Sequence, residues 1–287
     1  MLACSSRARR VLAVALALVF VLPLSGALVA AQSPSPALLK ELSTGKLVEC
    51  LDPSFPPMEY YENPNSKTPI GFDVDLVNEI GKRLGVPVTI TPTEFTGMLP
   101  GLQSGRCDVV ASGVYLTKQR LQTFDAQPYY DTSIVLMTLS KNDTIHSPED
   151  LSGKTMAVEA GTNYINILNQ LNDQLKKAGK PQMRIQTYPK QTDAIQQLIV
   201  GRADATITQD TEYAYREKVQ AGQFKIAYTY PNPQTFAIYY RKGDTVLGSA
   251  LKQAVEAMRA DGTLAALAKK WNLPVKGTNY TTGTPAA

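Results

Sequence analysis

The feature that most constrains the fold is a repeated alternation of short apolar segments with longer amphipathic ones. Residues 46–51 predict a strand, residues 71–86 predict a helix with one apolar face, and residues 86–93 predict a second strand. A helix that Thr96 could cap and a third strand follow, and a second series of the same kind begins near Asp143. This alternation is typical of α/β proteins that are built on parallel sheets.

Two stretches, one from each series, resemble each other. Residues 99–113 (LPGLQSGRCDVVASG) and residues 195–209 (IQQLIVGRADATITQ) both run from an amphipathic helix through Gly-Arg-x-Asp into a strand that ends in small polar residues. This weak internal similarity indicates two lobes of like architecture. The β-rich segments 132–141 and 234–244 bracket the second series, so we expect the second lobe to lie inside the first, with these segments crossing between the lobes.

The patterning also predicts where each part of the chain begins and ends. We expect a signal peptide over residues 1–31, a Ser/Pro-rich leader over 32–45, a first lobe over 46–131 and 237–275, a second lobe over 132–236, and a C-terminal tail over 276–287.

The first residues have the three regions of a secretory signal. Arg7, Arg9 and Arg10 precede an apolar stretch, and small residues that end at Ala31 fit a signal-peptidase site. The alternative is a membrane anchor, but the uninterrupted apolar run is shorter than the ~20 residues that a bilayer requires. We therefore expect a secreted protein, periplasmic or otherwise extracytoplasmic. No lipobox cysteine follows the apolar stretch, so free diffusion is favoured, although a cell without an outer membrane would need a tether.

The charge of the chain gives no reason to expect a polyanionic partner. The formal net charge is +4, and without the signal, which carries three Arg and no acid, it is +1. A nearly neutral protein lacks the electrostatic footprint that nucleic acids or anionic membranes require. We therefore expect no nucleic-acid partner.

Cysteine and histidine usage limits the chemistry of the chain. Beyond the signal, only Cys50 and Cys107 remain, both at or just before predicted strands, and we expect two unpaired core thiols, with a disulfide as the alternative. His146 is the one histidine, beside a Ser-Pro helix start, and we expect it in an exposed loop. Most metal sites and most nucleophile pairs are thereby excluded, so we expect no metal and no cofactor.

Seven segments, taken in order, resemble the polar amino-acid family of bacterial solute-binding proteins, also called family 3, which are the extracytoplasmic receptors of ABC importers. The segments are LDPSFPPMEY, GFDVDLVNEIGKRLGV, LQSGRCDVVASGVYLTKQR, FDAQPYYD, EDLSGKTMAVEAGT, GRADATITQD and AVEAMRADGTLAALAKKW. Together they span roughly Lys46 to Trp271. The resemblance implies a type II periplasmic-binding-protein-like α/β fold, in which two lobes joined by two crossing strands close like a Venus flytrap over one small solute.

Arg120 is the residue to which the resemblance gives the clearest role. It lies in the first turn of a helix for which Thr117 is the predicted N-cap, and a helix N-terminus favours anions over cations. An Arg there needs solvent or a negative partner, and Asp125 is one alternative. The family's Arg at this position binds the α-carboxylate of the ligand through two parallel N–H groups, and we expect the same of Arg120.

The resemblance implies further ligand contacts in both lobes. Phe55 would stack over the ligand unless it is a core aromatic, Tyr115 stands where a small hydroxylated residue is common, and Asn163 replaces Thr or Ser. Glu159 would help to select the ligand's side chain unless it faces outward on its strand. The implied contacts are Asp52, Phe55, Ser112, Gly113 and Tyr115 in the first lobe and Glu159, Gly161, Thr162 and Asn163 in the second.

The contact with the ligand's ammonium is open. The family places an Asp eight residues after the Gly of the Gly-Arg-x-Asp motif, and counting from Gly201 that position is Gln209, with Asp210 next. A Gln oxygen can accept from an ammonium, but without the attraction between two charges. Either Asp210 takes over through a local bulge, or the ligand is not an ordinary α-amino acid.

The resemblance implies an extracytoplasmic solute-binding protein that captures an amino acid or a similar small carboxylate and delivers it to the permease of an ABC transporter. We expect a monomer with no catalytic residue. One alternative is a periplasmic dehydratase of the cyclohexadienyl type on the same fold, with Glu159 or Asp210 as general acid. Another is a ligand-sensing receptor domain, which is usually fused to a transmembrane segment and a cytoplasmic domain.

Overall fold

The computed structural model of the protein describes residues 35–42 and 44–280. The predicted signal peptide at 1–31 lies outside these residues, as do the start of the predicted leader and the last seven residues of the predicted tail. Within the described part, no helix combines the length and the apolar character that crossing a membrane requires.

Strands and helices alternate along most of the described chain, as predicted. The strands are β1 (Leu47–Leu51), β2 (Ser54–Phe55), β3 (Glu59–Tyr60), β4 (Val88–Pro92), β5 (Val109–Val110), β6 (Phe124–Thr132), β7 (Ile134–Leu139), β8 (Thr155–Glu159), β9 (Arg184–Tyr188), β10 (Ala205–Gln209), β11 (Phe224–Thr229) and β12 (Gln234–Arg241). The α-helices are α1 (Pro36–Glu41), α2 (Phe72–Leu84), α3 (Phe95–Gln103), α4 (Lys118–Thr123), α5 (Tyr164–Lys177), α6 (Gln191–Ile199), α7 (Asp210–Val219), α8 (Thr245–Ala260) and α9 (Thr263–Lys270). Short 3-10 helices span Pro148–Leu151 and Val275–Asn279.

Two five-stranded sheets form the cores of the two lobes. The first sheet has the order β4-β1-β5-β12-β6, in which β1 runs parallel to β4 and β5, and β12 runs antiparallel to β5 and β6. The second sheet has the order β11-β7-β10-β8-β9, in which β8 runs parallel to β9 and β10, and β7 runs antiparallel to its neighbours. The predicted two-lobed α/β fold is therefore confirmed.

The chain crosses between the two sheets twice. It leaves the first sheet at the end of β6, passes through Ser133 and enters the second sheet with β7. It returns through residues 230–233, between β11 and β12. The first crossing, at Ser133, falls within the segment 132–141 that was predicted to cross, and the second, at residues 230–233, lies directly before the predicted segment 234–244.

Helix α2 shows how local sequence signals fix an element. Its apolar face, which includes Phe72, Leu76 and Ile80, is buried against the first lobe. The helix ends at Gly85, which adopts a left-handed conformation with φ 69° and bonds back to the last turn. Glycine takes this conformation without steric strain, so the sequence alone marks the end of the helix.

The prediction that Thr96 caps the next helix is wrong. Helix α3 begins at Phe95, so Thr96 lies within its first turn, and the N-cap position is held by Glu94 without a side-chain bond. The Phe95 N–H instead donates to Asp52 Oδ2 at 2.7 Å. An acid that is distant in sequence therefore replaces the local cap.

The prediction of two unpaired thiols is also wrong, because Cys50 and Cys107 form a disulfide. Cys50 lies in β1, and Cys107 lies two residues before β5, which is the parallel neighbour of β1. This pairing sets the two Cα atoms 5.7 Å apart, within the range that a disulfide requires. The predicted exposure of His146 is confirmed, and its Nε2 lies 2.9 Å from the Asp143 carbonyl oxygen.

Candidate functional site

A cleft lies where carboxyl ends of strands from both sheets meet. Asp52 follows β1, Ser112 follows β5, Glu159 ends β8 and Gln209 ends β10, and all four line the cleft. The space between these side chains, counted together with the part that is open to solvent, is about 410 Å³. Open α/β sheets bind ligands beyond the carboxyl ends of their strands, so this is the expected place for a site.

Most of the predicted site residues come together here. Those that line the cleft are Asp52, Phe55, Ser112, Gly113, Tyr115, Arg120, Glu159, Thr162, Asn163 and Gln209. Gly161 lines an adjoining outer groove instead, and Asp210 does not line the cleft.

Arg120 provides the positive charge of the cleft. Its backbone N–H donates to the N-cap Thr117 Oγ1 at 3.2 Å, as predicted, and its Nη1 donates to the Tyr115 carbonyl oxygen at 2.9 Å. The guanidinium carbon lies 5.8 Å from the centre of the Phe95 ring. Asp125, the alternative partner, pairs with Lys242 at 2.8 Å. Among the described residues Arg120 has no ion pair, and burial lowers its pKa, so an anionic ligand would find an uncompensated cation.

Two phenols meet across the cleft next to Arg120. The hydroxyls of Tyr115 and Tyr164 lie 3.2 Å apart, and they belong to different lobes. The Tyr115 ring stacks on Phe236 with 5.3 Å between the ring centres. Tyr239 holds the Tyr115 backbone, because its hydroxyl donates to the Tyr115 carbonyl oxygen at 2.6 Å. Burial raises the pKa of the Tyr115 and Tyr164 phenols, so both stay neutral hydrogen-bonding groups.

Gln209 and Asp210 point to different places. Gln209 lines the cleft, as Tyr115 does. Asp210 Oδ1 accepts from Thr132 Oγ1 at 2.6 Å and from the Ser133 N–H at 3.3 Å. The Asp210 carboxylate therefore binds the crossing between the sheets, and Gln209 is the one of the two that faces the cleft.

Asp52 and Glu159 add buried acidic groups to the cleft. Burial raises the pKa of Asp52 to about 6, against the lowering effect of hydrogen bonds from Ser54 and the Phe95 N–H. Glu159 is only 5% exposed, so the alternative of an outward-facing side chain is excluded. Its Oε1 accepts from the Gln191 N–H at 3.1 Å, and burial together with repulsion from Asp52 raises its pKa well above the usual range.

A second pair of acids lies beneath the loop after β5. Ser112 Oγ donates to Glu59 Oε1 at 2.8 Å, and the Gly113 N–H donates to Asp73 Oδ2 at 2.7 Å. Tyr129 Oη donates to the same Asp73 oxygen at 2.8 Å. Burial raises the pKa of Asp73 to about 6 and that of Glu59 well above its usual range. These contacts fix the position of the predicted ligand contacts Ser112 and Gly113.

The position of the Phe55 ring requires a residue without a side chain at position 113. Gly113 has φ 53°, and a Cβ built on it would lie 2.6 Å from Phe55 Cε1. Phe55 also packs edge-on against Phe236, with 6.4 Å between the ring centres. Phe55 is therefore both a buried aromatic and a wall of the cleft, so the two alternatives for it are not exclusive.

The loop of the second lobe contributes Thr162 and Asn163 to the cleft wall. Thr162 Oγ1 donates to the Glu159 carbonyl oxygen at 2.8 Å, which closes the turn after β8. Gly161 has φ 78°, and a Cβ there would lie 2.9 Å from Thr96 Cγ2 of the first lobe. Gly161 therefore permits the close approach of the lobes rather than lining the cleft.

Sequence reasoning missed five lining residues: Ser54, Glu59, Phe95, Tyr164 and Gln191. Ser54 and Glu59 lie in the same segment as Asp52 and Phe55, and Tyr164 follows Asn163 directly. Phe95 and Gln191 begin helices that follow β4 and β9. The rule that ligands bind beyond strand ends would have found these last two.

The family model of the bacterial extracellular solute-binding proteins, family 3, matches residues 47–274, which is most of the chain. The match begins at β1 and ends after α9, so it includes both sheets and every residue that lines the cleft.

Individual relatives cover a similar part of the chain. The L-cystine-binding protein TcyJ of Escherichia coli is 32% identical over 238 residues, which are 82% of this chain and 85% of TcyJ. The L-cystine-binding protein TcyA of Bacillus subtilis is 31% identical over 79% of this chain and 81% of its own length. The solved structure of an ancestral arginine-binding protein bound to arginine has a TM-score of 0.72 and 32% identity, over 79% of this chain and 98% of that one.

Proposed function

The chain belongs to the bacterial extracellular solute-binding proteins of family 3, and from this premise we propose that it captures one amino acid or amino-acid-like carboxylate in the cleft between its lobes. Relatives of this kind are binding proteins of amino-acid ABC transporters. The function is therefore binding and delivery of a solute to a membrane permease.

The observation that carries the proposal is the environment of Arg120. It faces the cleft with a bond to one carbonyl oxygen and, within the described chain, no paired acid. A buried or partly buried guanidinium presents parallel N–H groups that match a carboxylate. The Tyr115 and Tyr164 hydroxyls and the Thr162-Asn163 turn supply further hydrogen-bonding groups around the same space.

The proposal includes the organisation that the sequence predicts. Residues 46–131 with 237–275 form one lobe, residues 132–236 form the other, and Ser133 with residues 230–233 form the hinge. In support, the chain passes between the two sheets at those two places. The protein acts as a secreted, extracytoplasmic monomer whose partner is the permease of an ABC transporter.

The test is isothermal calorimetry after a thermal-shift screen of the protein amino acids, related amines and small carboxylates. A ligand at 100 times its Kd adds ~2.7 kcal/mol of stability, which a melting curve detects. Arg120→Ala is expected to weaken the best ligand by about 2–5 kcal/mol, because a buried carboxylate loses its partner. Arg202→Ala, at an exposed turn far from the cleft, is the matched control and is expected to bind normally. Unchanged affinity in Arg120→Ala would remove Arg120 from the site.

No catalytic step is part of the proposal. Incubation of the purified protein with cyclohexadienyl carboxylates is expected to release no aromatic product above the buffer control. Product formation that Glu159→Gln abolishes would instead identify the dehydratase alternative.

A further inference from the structure

Next to Arg120 the described part of the chain places uncharged hydrogen-bonding groups, while the acids that line the same cleft are Asp52, Glu59 and Glu159. The Tyr115 and Tyr164 phenols are neutral, and Gln209 carries no charge. The Gln209 Oε1 lies 3.3 Å from Thr208 Oγ1, which can donate to it. An α-ammonium that entered beside a carboxylate on Arg120 would meet amide and phenol groups instead of a carboxylate.

Asp210 follows Gln209 directly in the chain, but its carboxylate is bound through Oδ1 to the crossing between the sheets. Oδ1 accepts two hydrogen bonds from the crossing between the sheets, one from Thr132 Oγ1 and one from the Ser133 N–H. The Asp210 N–H also donates to the Ser133 carbonyl oxygen at 2.9 Å. Turning this carboxylate into the cleft would break those bonds, so Asp210 cannot replace Gln209 at low cost.

Two acids of the cleft have no ion pair within the described part of the chain. Asp52 and Glu159 are 3% and 5% exposed, they repel each other, and in the described ranges neither has an ion pair. Lys190 attracts Asp52, but its side chain is exposed outside the cleft. Buried carboxylates without a partner are costly, and a cationic ligand group would compensate them.

Gln191 lies in the same part of the cleft. It lines the cleft and is 2% exposed, and its side-chain amide acts on the buried carboxyl of Glu212, whose pKa it lowers through a hydrogen bond. Its backbone N–H donates to Glu159 Oε1 at 3.1 Å, which places it beside that acid. The oxygen of the Gln191 amide can also accept hydrogen bonds from a ligand group that carries several N–H donors.

We propose that the ligand's positive charge lies at the end of its side chain, between Asp52 and Glu159, and that the site does not require an α-ammonium. The inference rests on the proposed function, because it takes the ligand to be a carboxylate held by Arg120. The proposed ligands are linear carboxylates with a terminal guanidinium or ammonium. Because Gln209 carries no charge, the presence of an α-amino group is proposed to have little effect on affinity. Arginine and lysine belong to this class, and so do their analogues without the α-amino group.

The test compares ligands that differ by one group. Calorimetry at about pH 7.5, above the raised pKa of Asp52, measures lysine, 6-aminohexanoate and norleucine, and then arginine, 5-guanidinopentanoate and citrulline. We expect each analogue without the α-amino group to bind within about tenfold of its parent. We expect norleucine and citrulline, which lack the terminal charge, to bind at least about 100-fold more weakly than their parents, because two buried acids then stay unpaired.

The opposite order overturns the inference. If the analogues without the α-amino group bind about 100-fold more weakly than their parents while norleucine or citrulline keeps the parent's affinity, the site recognises an α-ammonium and not a terminal charge. If neutral amino acids bind and cationic ones do not, this inference fails and the proposed function stands. If no amino acid or carboxylate of the panel binds, the proposed function itself fails.

Two variants test which residue determines the response to the α-amino group and which determines the preference for a terminal charge. Gln209→Asp is expected to raise the ratio of lysine affinity to 6-aminohexanoate affinity by about tenfold or more, since it adds an acid for the α-ammonium. Glu159→Gln is expected to lower the ratio of arginine affinity to citrulline affinity by a similar factor. Each readout is a ratio of two ligands on one protein, so a loss of folded protein does not imitate it. A Gln209→Asp variant with an unchanged ratio would remove Gln209 from this role.

Discussion

The hydroxyl oxygens of Tyr115 and Tyr164 lie 3.2 Å apart, and through them the two lobes make a direct hydrogen bond across the cleft. Both side chains are buried, and both are neutral because burial raises the pKa of each phenol. The contact stabilises the closed arrangement next to Arg120, where the ligand's carboxylate is proposed to bind.

We expect Tyr115→Phe and Tyr164→Phe each to lower the free energy of unfolding by about 1–2 kcal/mol, because each change leaves a buried hydroxyl without its partner. The double variant is expected to lose less than the sum, since the second change removes the orphaned group. Urea unfolding of the four proteins gives the coupling energy. Strictly additive losses would mean that the two hydroxyls do not interact in solution.

Gly113→Ala is expected to weaken ligand binding by about tenfold or more, because its new Cβ displaces the Phe55 ring that lies 2.6 Å away. Gly105→Ala is the matched control. Gly105 also has a positive φ, at 77°, but no atom lies within 4 Å of its added Cβ. Both variants are expected to lose about 1 kcal/mol of stability from backbone strain, and only Gly113→Ala is expected to lose affinity. If Gly113→Ala and Gly105→Ala bind the ligand with equal affinity in calorimetry, Phe55 does not contribute to ligand binding.

The buried acid Asp73 is expected to make the protein less stable as the pH rises. Its pKa is raised from 3.8 to about 6 in the folded state, chiefly by burial, so ionisation is easier in the unfolded chain. The stability that the protonated form contributes is present below about pH 4 and is lost as the pH rises through about 6. Glu59, Glu49 and the donors Tyr129 and Gly113 face this carboxyl.

The measurement is chemical unfolding of the parent and Asp73→Asn at several pH values between about 4 and 7. Other acids titrate in both proteins, so the difference between the two curves isolates Asp73. We expect the parent to lose up to about 3 kcal/mol more than the variant over this range. Parallel curves would indicate that Asp73 titrates alike in the folded and unfolded chain.

Loss of the Cys50–Cys107 disulfide is expected to lower the free energy of unfolding by about 2–5 kcal/mol, because the bond closes a loop of 57 residues in the unfolded chain. Thermal melts with and without a strong reductant measure the effect. The variant with Ala at both positions is the control, and its melting temperature is expected not to respond to the reductant. A parent protein that also fails to respond would show that the thiols are unpaired in solution.

The predictions that succeeded rest on local signals. Gly85 ends α2 because a left-handed C-terminal residue follows an amphipathic stretch, and Thr117 caps α4 because its hydroxyl is three residues from the Arg120 N–H. The alternation of strands and helices, which occurs in two series, also predicts the α/β class and the two lobes. These features need no knowledge of which strands pair.

The predictions that failed depend on contacts between distant segments. The disulfide follows from the pairing of β1 with β5, and the absence of a Thr96 cap follows from Asp52 reaching the Phe95 N–H. The choice between Gln209 and Asp210 is of the same kind, since it is decided by Thr132 and Ser133 of another strand connection. Single-sequence patterns do not contain strand register, so these outcomes required the three-dimensional arrangement.

The Asp210 contacts at Ser133 connect the proposed hinge to the cleft through two adjacent residues, Gln209 and Asp210. Asp210 forms hydrogen bonds to the crossing between the sheets through its side chain and its N–H. Gln209, its direct chain neighbour, lines the cleft. A rotation of one lobe about Ser133 would therefore pull on the Gln209 backbone without any relay of intervening side chains. In mechanical terms, the proposed ligand contact Gln209 and the proposed hinge at Ser133 are coupled directly through the backbone of Asp210.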